Sequence, residues 1–331
     1  MKKSLVILSV LIISTMLFVG CVQPEEVPEE KVNLVLGAEA SLLPASVWVA
    51  ENQGYFLEEG LNLTIKEFGS GRLSFLDMLE DGVDISTVAP TPIMFNSFER
   101  QDFSIFATFV YAFNDVKVIA NQDSNIRVIA DLVGKKIGTP AGTTGQFFVE
   151  AFLTYNEIDV SEVMIVDIPP ANLPGALNAK EVDTIVIWEP HAYNAQELLG
   201  AKAIRLPSSE IYKETFNFMV MNDFAKENSE TLEKFTRAIV KATEFIQNNK
   251  NESQKIVAQR LKLDETVTNI LWEDFVFEVS LEPELITTLE DEAKWAIDSN
   301  LTDKKEVPNY LNYVYSNALK QVDSSLVTIN K

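Results

Sequence analysis

The sequence predicts an α/β fold made of two successive parallel-sheet units joined by two crossings. Three observations predict it. Strand and helix patterns alternate between residues 32 and 88, the alternation restarts at residue 136, and two apolar segments, 116–120 and 216–221, stand between the units. Strand-helix-strand alternation of this kind implies parallel strands with right-handed crossovers.

The first unit opens with the strand 32–36, which ends at Gly37, followed by a helix over 45–52 that runs into Gly54-Tyr55-Phe56. Residues 61–66 alternate with period two and predict a second strand. Residues 73–79 carry helical spacing and stop at Asp81-Gly82, and 83–88 predict a third strand. In the second unit, the short strand 136–138 turns through Pro140-Ala141-Gly142, and Thr143 and Thr144 precede a helix over 146–156. A strand over 163–166, a short helix over 173–179 and a buried strand over 184–188 complete it. Beyond 221 the chain reads as helical, with Leu232, Phe235, Ile239, Ala242 and Ile246 on one face of a helix that starts near Ser229. This tail is expected to pack back on the first unit.

Composition narrows the function. The chain has 331 residues and a formal charge of −22, and residues 1–20, with two lysines and no acid, leave −24 when set aside. Such a surface disfavours phosphate backbones, so no nucleic-acid partner is expected. One cysteine, Cys21, and one histidine, His191, exclude a disulfide framework, a thiolate zinc cluster and a His-rich metal site. No metal and no cofactor is expected.

The N-terminus reads as an address. Met1-Lys2-Lys3 is a basic start, and Leu5 to Val19 is an apolar run too short for the ~20 residues of a membrane span. It closes on Leu17-Phe18-Val19-Gly20-Cys21, which resembles a lipobox with Phe18 where Leu is usual. The expectation is a signal peptide over 1–20 and lipidation of Cys21. An acidic, proline-bearing tether over 21–31 follows. A cleaved signal with an incidental cysteine is the alternative. Three sequons, at Asn62, Asn251 and Asn300, are read as chance occurrences.

Two segments carry the chemistry. In Gly134 to Gln146 a strand enters a Gly-rich turn and meets Thr143 and Thr144 at the mouth of a helix. Helix N-termini attract anions through free N–H groups and the positive dipole end, and the hydroxyls add donors. Simple N-capping by either threonine is the competing reading. In Gly175 to Pro190, Trp188 and Glu189 close a buried strand, where α/β sheets hold ligands. Trp188 is either an apolar wall or core, and Glu189 either a counter-charge for a cation or a solvated acid.

These segments join Gly54 to Leu63, Gly69-Ser70-Gly71, Asp81 to Ile85 and Ala89-Pro90-Thr91-Pro92. In this order and spacing the set resembles the solute-binding proteins of ABC importers for nitrate, sulfonates, taurine and thiamine precursors, over most of residues 32–222. The resemblance implies a two-lobed, type II periplasmic-binding-protein fold with hinge crossings and a helical C-terminal tail. It implies lobe 1 from 32–116 plus 222–331 and lobe 2 from 117–221. The protein would act as a monomer, extracytoplasmic and anchored to the cell membrane, that delivers solute to a membrane permease driven by a separate ATPase. By position, the resemblance assigns ligand contacts to Glu39, Ala40, Ser41 and Leu43 after the first strand, to Ser70 and Gly71, and to Thr91. Thr143, Thr144 and Gln146 face them, and Pro170, Trp188 and Glu189 complete the far wall.

The taurine and alkanesulfonate branch is the nearest look, through the paired threonines, Pro169-Pro170 and the Trp-x-Pro ending. Gly145 departs from taurine-type members, which often carry a larger polar residue there. Binders of a thiamine precursor, riboflavin or another aromatic heterocycle stay open, with Phe106, Phe109, Tyr111 and Phe113 as stacking candidates or lobe core. An enzyme on the same bilobal fold, with Glu189 and His191 as an acid–base pair, is the reading from another class.

Overall fold

The computed structural model describes residues 31–329. The segments read as a signal, over 1–20, and as a tether, with Cys21 and up to residue 30, lie outside the described residues. Eleven strands form two sheets among the described residues. They are β1 (Val32–Glu39), β2 (Leu61–Phe68), β3 (Ile85–Val88), β4 (Phe103–Ala112), β5 (Lys117–Asn121) and β6 (Lys136–Thr139). β7 (Met164–Asp167), β8 (Thr184–Ile187), β9 (Ala203–Leu206), β10 (Glu214–Met221) and β11 (Phe275–Val276) follow.

The larger sheet has the order β11-β4-β10-β3-β1-β2 and the smaller one β7-β6-β8-β5-β9. In the larger sheet β1 runs parallel to β2 and β3, with Val32 opposite Leu61 and Glu39 opposite Phe68. In the smaller one β6 runs parallel to β7 and β8. These are the parallel units expected from sequence. Their strands are buried on both faces, which is why β3 and β8 read as short unbroken runs with every residue buried.

The two segments read as crossings are strands. β5 lies inside the smaller sheet, antiparallel to β8 and β9, and β10 lies inside the larger sheet, antiparallel to β3 and β4. All five residues of β5 and the first seven of β10 are buried, which a surface connection does not provide. The chain passes between the sheets through residues 113–116 and 207–213, and these segments touch, Glu210 N donating to Phe113 O at 3.1 Å. The return therefore precedes β10, earlier than the boundary at 221. β4, β9 and the helix His191–Leu199 were not expected from sequence.

Each sheet has its own core. The helix Ser229–Asn248 buries Leu232, Phe235, Ile239, Ala242 and Ile246 against the larger sheet, so the tail packs on the first unit as its periodicity requires. Phe106 and Phe109 are core residues of the same lobe. Phe218 stacks on Phe109 at 4.0 Å and on Phe106 at 5.7 Å, and meets Phe235 edge-on at 5.0 Å. Among the described residues no helix is long and apolar enough to cross a membrane.

The aromatic cluster makes a stability prediction. Phe218→Ala should destabilise the protein by about 3–5 kcal/mol in urea unfolding, since it leaves a cavity among three rings. A loss under about 1 kcal/mol would show that the cluster collapses around the vacancy.

Candidate functional site

The two sheets face each other by corresponding edges. β1, β3, β6 and β8 end at this junction, and the antiparallel β10 begins there, so its first residue joins the strand-end loops of the parallel strands. A small cavity of about 20 Å³ lies between them. Glu39, Leu43, Ser70, Gly71, Thr143, Thr144 and Trp188 line it, as the sequence positions imply. Arg72, Ala89, Pro92, Glu214 and Phe216 complete the lining.

The local structure explains each placement. Glu39 ends β1, and its carboxylate accepts from Gly71 N at 2.8 Å. Ser70 caps the helix Gly71–Leu79 by accepting from Leu73 N at 3.3 Å. Gly71 has to be glycine, because a Cβ there would stand 2.7 Å from Phe216 Cζ and 3.1 Å from Thr87 O. Thr143 occupies the N-cap position of the helix Thr144–Tyr155, but gives no side-chain cap. Its hydroxyl instead donates backwards to Pro140 O at 2.7 Å. Gly145 is packed against β6: a Cβ would lie 2.4 Å from Thr139 Oγ1. That contact excludes the larger residue of taurine-type chains.

Other expected contacts lie elsewhere. Ala40 is exposed, and Ser41 is buried behind Glu39 with its carbonyl accepting from Trp48 Nε1 at 3.0 Å. Thr91 is buried behind Ala89 and Pro92, with its hydroxyl near Glu292. Gln146 turns back on its own loop, Oε1 accepting from Gly142 N at 2.7 Å. Pro170 starts a 3-10 turn away from the cavity. Glu189 is 1% exposed but faces Lys117 at 3.2 Å and accepts from Tyr193 N at 2.7 Å. It is not solvated, and it does not line this cavity. Tyr111 and Phe113 pack on each other at 5.9 Å, and neither they nor Phe106 and Phe109 line the cavity.

The electrostatics of this junction were not expected. Glu39, Asp115, Glu189, Glu214 and Glu292 are all buried around it, and Lys117 is the one buried lysine or arginine among the described residues. Lys117 is committed to Glu189, to Asp274 at 2.6 Å and to Asn114 O at 2.5 Å. The other four carboxyls form no ion pair among the described residues. Burial pushes Glu39 up to about 8, helped by the nearby Glu214, while Gly71 N–H and the indole of Trp188 pull it down. Burial pushes Glu214 to about 7, against the Thr144 hydroxyl and Asp115. Burial also raises Glu292 to about 8, although Tyr212 donates to it at 2.7 Å. Asp115 is raised as well, first by burial and then by Glu214. Glu214 Oε2 and Trp188 Nε1, both in the cavity wall, have no hydrogen-bond partner at bonding distance among the described residues.

Glu214 is a buried acid of the cavity lining that sequence reasoning missed. Its signal was an acid at the head of the apolar strand Glu214-Thr215-Phe216, where period two puts Glu214 and Phe216 on the same face.

Two α/β lobes joined by paired short segments and enclosing a lined cavity at their strand ends define a periplasmic-binding-protein fold. The chain belongs to the NMT1/THI5-like family, whose family model matches residues 44–253. A Bacillus subtilis protein named for binding aliphatic sulfonates is 24% identical over 313 residues, covering 92% of each chain. The taurine-binding periplasmic protein of Escherichia coli is 24% identical over 217 residues, 64% of this chain and 66% of its own. Among solved structures, the alkanesulfonate-binding protein SsuA of Xanthomonas axonopodis pv. citri, bound to MOPS, superposes with a TM-score of 0.75. It is 17% identical and covers 87% of this chain and 99% of its own. The desulfurization enzyme DSZB shares the fold at a TM-score of 0.64 and 15% identity, covering 89% of this chain and 99% of its own.

The raised carboxyls fix the sign of a pH effect. Glu39, Glu214 and Glu292 hold protons more tightly folded than unfolded, where the ordinary value is 4.5. Their contribution to stability is complete below about pH 4.5 and is lost as pH rises through about 7 to 8. The urea midpoint of the ligand-free protein should fall between about pH 5 and about pH 8, and Glu214→Gln should flatten part of that fall. A midpoint that rises over this range would mean that the carboxyls are ionised in the fold.

Proposed function

We propose that the protein is an extracytoplasmic solute receptor that captures a small molecule between its lobes and hands it to an ABC import permease. The observation that carries this reading is the cavity between the strand-end loops of both lobes, beside the two segments that connect them. A pair of short connections at one side is what a hinge requires, and residues 113–116 and 207–213 supply it. On this reading lobe 2 is the stretch 117–206 and lobe 1 the remainder of the described chain. The receptor is a monomer held to the membrane through lipidated Cys21 and the acidic tether.

The names of the relatives favour a sulfonate or taurine-like solute, which was also the reading from the sequence. An aromatic heterocycle is less well supported, since Trp188 and Phe216 are the only rings in the cavity wall among the described residues. The enzyme reading loses its acid–base pair. Glu189 is bound to Lys117, and His191, whose pKa burial lowers, lies outside the lining. The relatives are named as binding proteins, and the likeness to DSZB is one of fold.

Thermal unfolding against taurine, alkanesulfonates, nitrate, hydroxymethylpyrimidine and riboflavin tests the receptor reading. A true solute at 100 times its Kd should stabilise the protein by about 2.7 kcal/mol. Replacing Thr144, whose hydroxyl stands beside Glu214 in the cavity wall, by Val should weaken that shift without unfolding the protein, and a shift that survives intact would remove Thr144 from the site. Cys21→Ala should move the protein from the membrane to the soluble fraction. Retention at the membrane would refute the lipid anchor.

A further inference from the structure

We propose that the solute carries a cationic nitrogen, an ammonium or amidinium group, that sits in the cleft between the carboxyl groups of Glu39 and Glu214. The inference rests on the receptor reading and names the chemistry of its ligand.

Both carboxyls line the cavity and come from neighbouring regions of one wall, Glu39 at the end of β1 and Glu214 at the start of β10. Glu39 and Glu214 are each 4% exposed. Glu39 Oε2 is held by Gly71 N, whereas Glu214, a lining residue, leaves Oε2 without a partner at bonding distance among the described residues, the Thr144 hydroxyl and Asp115 being the groups beside its carboxyl. A buried acceptor of this kind lacks the hydrogen bond that most buried polar groups have, and a donor entering the cavity would supply it. A charged donor would supply most, because like-charged carboxyls in a dry site need either a proton or a cation between them.

The donors that a sulfonate would need are already used. The Thr143 hydroxyl is spent on Pro140 O, Gly71 N–H on Glu39, and Thr144 stands beside Glu214 as a neutral donor. The indole N–H of Trp188 is turned to Glu39, which leaves Arg72 in the lining. Arg72 is half-buried on the helix Gly71–Leu79, and its guanidinium lies near Gly142 across the cleft. One partly hydrated cation is outweighed by acids from every other element packed there. Asp115 comes from the first crossing, Glu214 from β10, Glu39 from β1 and Glu292 from the helix Pro283–Asp298, with Tyr212 between them. Lys117 is held between Glu189 and Asp274 behind Asp115. An anion alone would enter a wall of acids, whereas an amine would be held there, with Arg72 left for an acceptor at its other end.

Protons and charge balance in this account. The cation displaces protons shared among the raised carboxyls, so binding releases protons and strengthens with pH.

Three probes of one chain length test the assignment on the full-length protein by thermal shift and calorimetry at millimolar concentration: propylamine, 3-aminopropane-1-sulfonate and propane-1-sulfonate. The two amines should bind and the plain sulfonate should not. Affinity for the amines should rise from about pH 6 to about pH 8, by up to about tenfold per pH unit for each proton displaced. Proton release should appear as a heat that scales with buffer ionisation. Glu214→Gln, which keeps shape and removes the charge, should weaken amine binding at least about tenfold and flatten the pH slope. Binding of propane-1-sulfonate as strong as that of its amino analogue, or tightening as pH falls, would overturn the cation assignment and leave the receptor reading standing. No response to any probe, and none to the solutes tested above, would overturn both.

Discussion

Lys117 is the charge on which the centre of this protein depends. It is 2% exposed, and it binds Glu189 from the loop after β8, Asp274 from the segment before β11, and Asn114 O from the first crossing. One ammonium therefore ties the smaller sheet, the larger lobe and the connection between them. Its removal would strand two carboxylates and cost several kcal/mol, as breaking buried pairs does. Its commitment to Glu189 and Asp274 also decides the state of everything around it. No second buried cation is available among the described residues, so Glu39, Asp115, Glu214 and Glu292 are left to protons or to a ligand.

Topology puts these acids in one place. The parallel strands of both sheets end at the junction. β10 and β5, which run against their neighbours, begin there. The crossings 113–116 and 207–213 must then run along the same edge, and Asp115 and Tyr212 ride on them. The cavity and the connecting segments are adjacent because one antiparallel strand is inserted into each sheet, and the acids of the cleft therefore lie beside the two connections.

The parallel units were legible in the sequence because period-two strands and capped helices are local patterns. The lining residues Glu39, Ser70, Gly71 and Trp188 were legible because strand ends are where such sheets gather ligands. What escaped was not local. β5 and β10 read as crossings because antiparallel insertion is set by partners far along the chain. Glu214 was lost with β10, since an acid ahead of an aromatic strand looks like a surface boundary. Gln146 and Glu189 were misplaced for a related reason. Each has the right chemistry, but a nearer partner, Gly142 N–H or Lys117, captures it. Net charge was silent on the cleft, and the expectation of an anion site built from dipoles and hydroxyls did not foresee that both threonine hydroxyls face acceptors.

Closure of the lobes is a contest between two sets of contacts. At the rim, Glu150 of the smaller lobe accepts from Trp295 Nε1 at 2.8 Å and Ser299 Oγ at 2.9 Å, both from the larger lobe. Phe147 stacks edge-on against Trp295 and Tyr212, each at 5.2 Å. These contacts favour the closed form, and each is worth about a kilocalorie per mole. Against them stands the desolvation of four buried carboxyls, which raises Glu39 and Glu292 to about 8 and Glu214 to about 7. The cationic solute proposed above would take the place of the protons on those carboxyls and relieve that desolvation without touching the rim contacts.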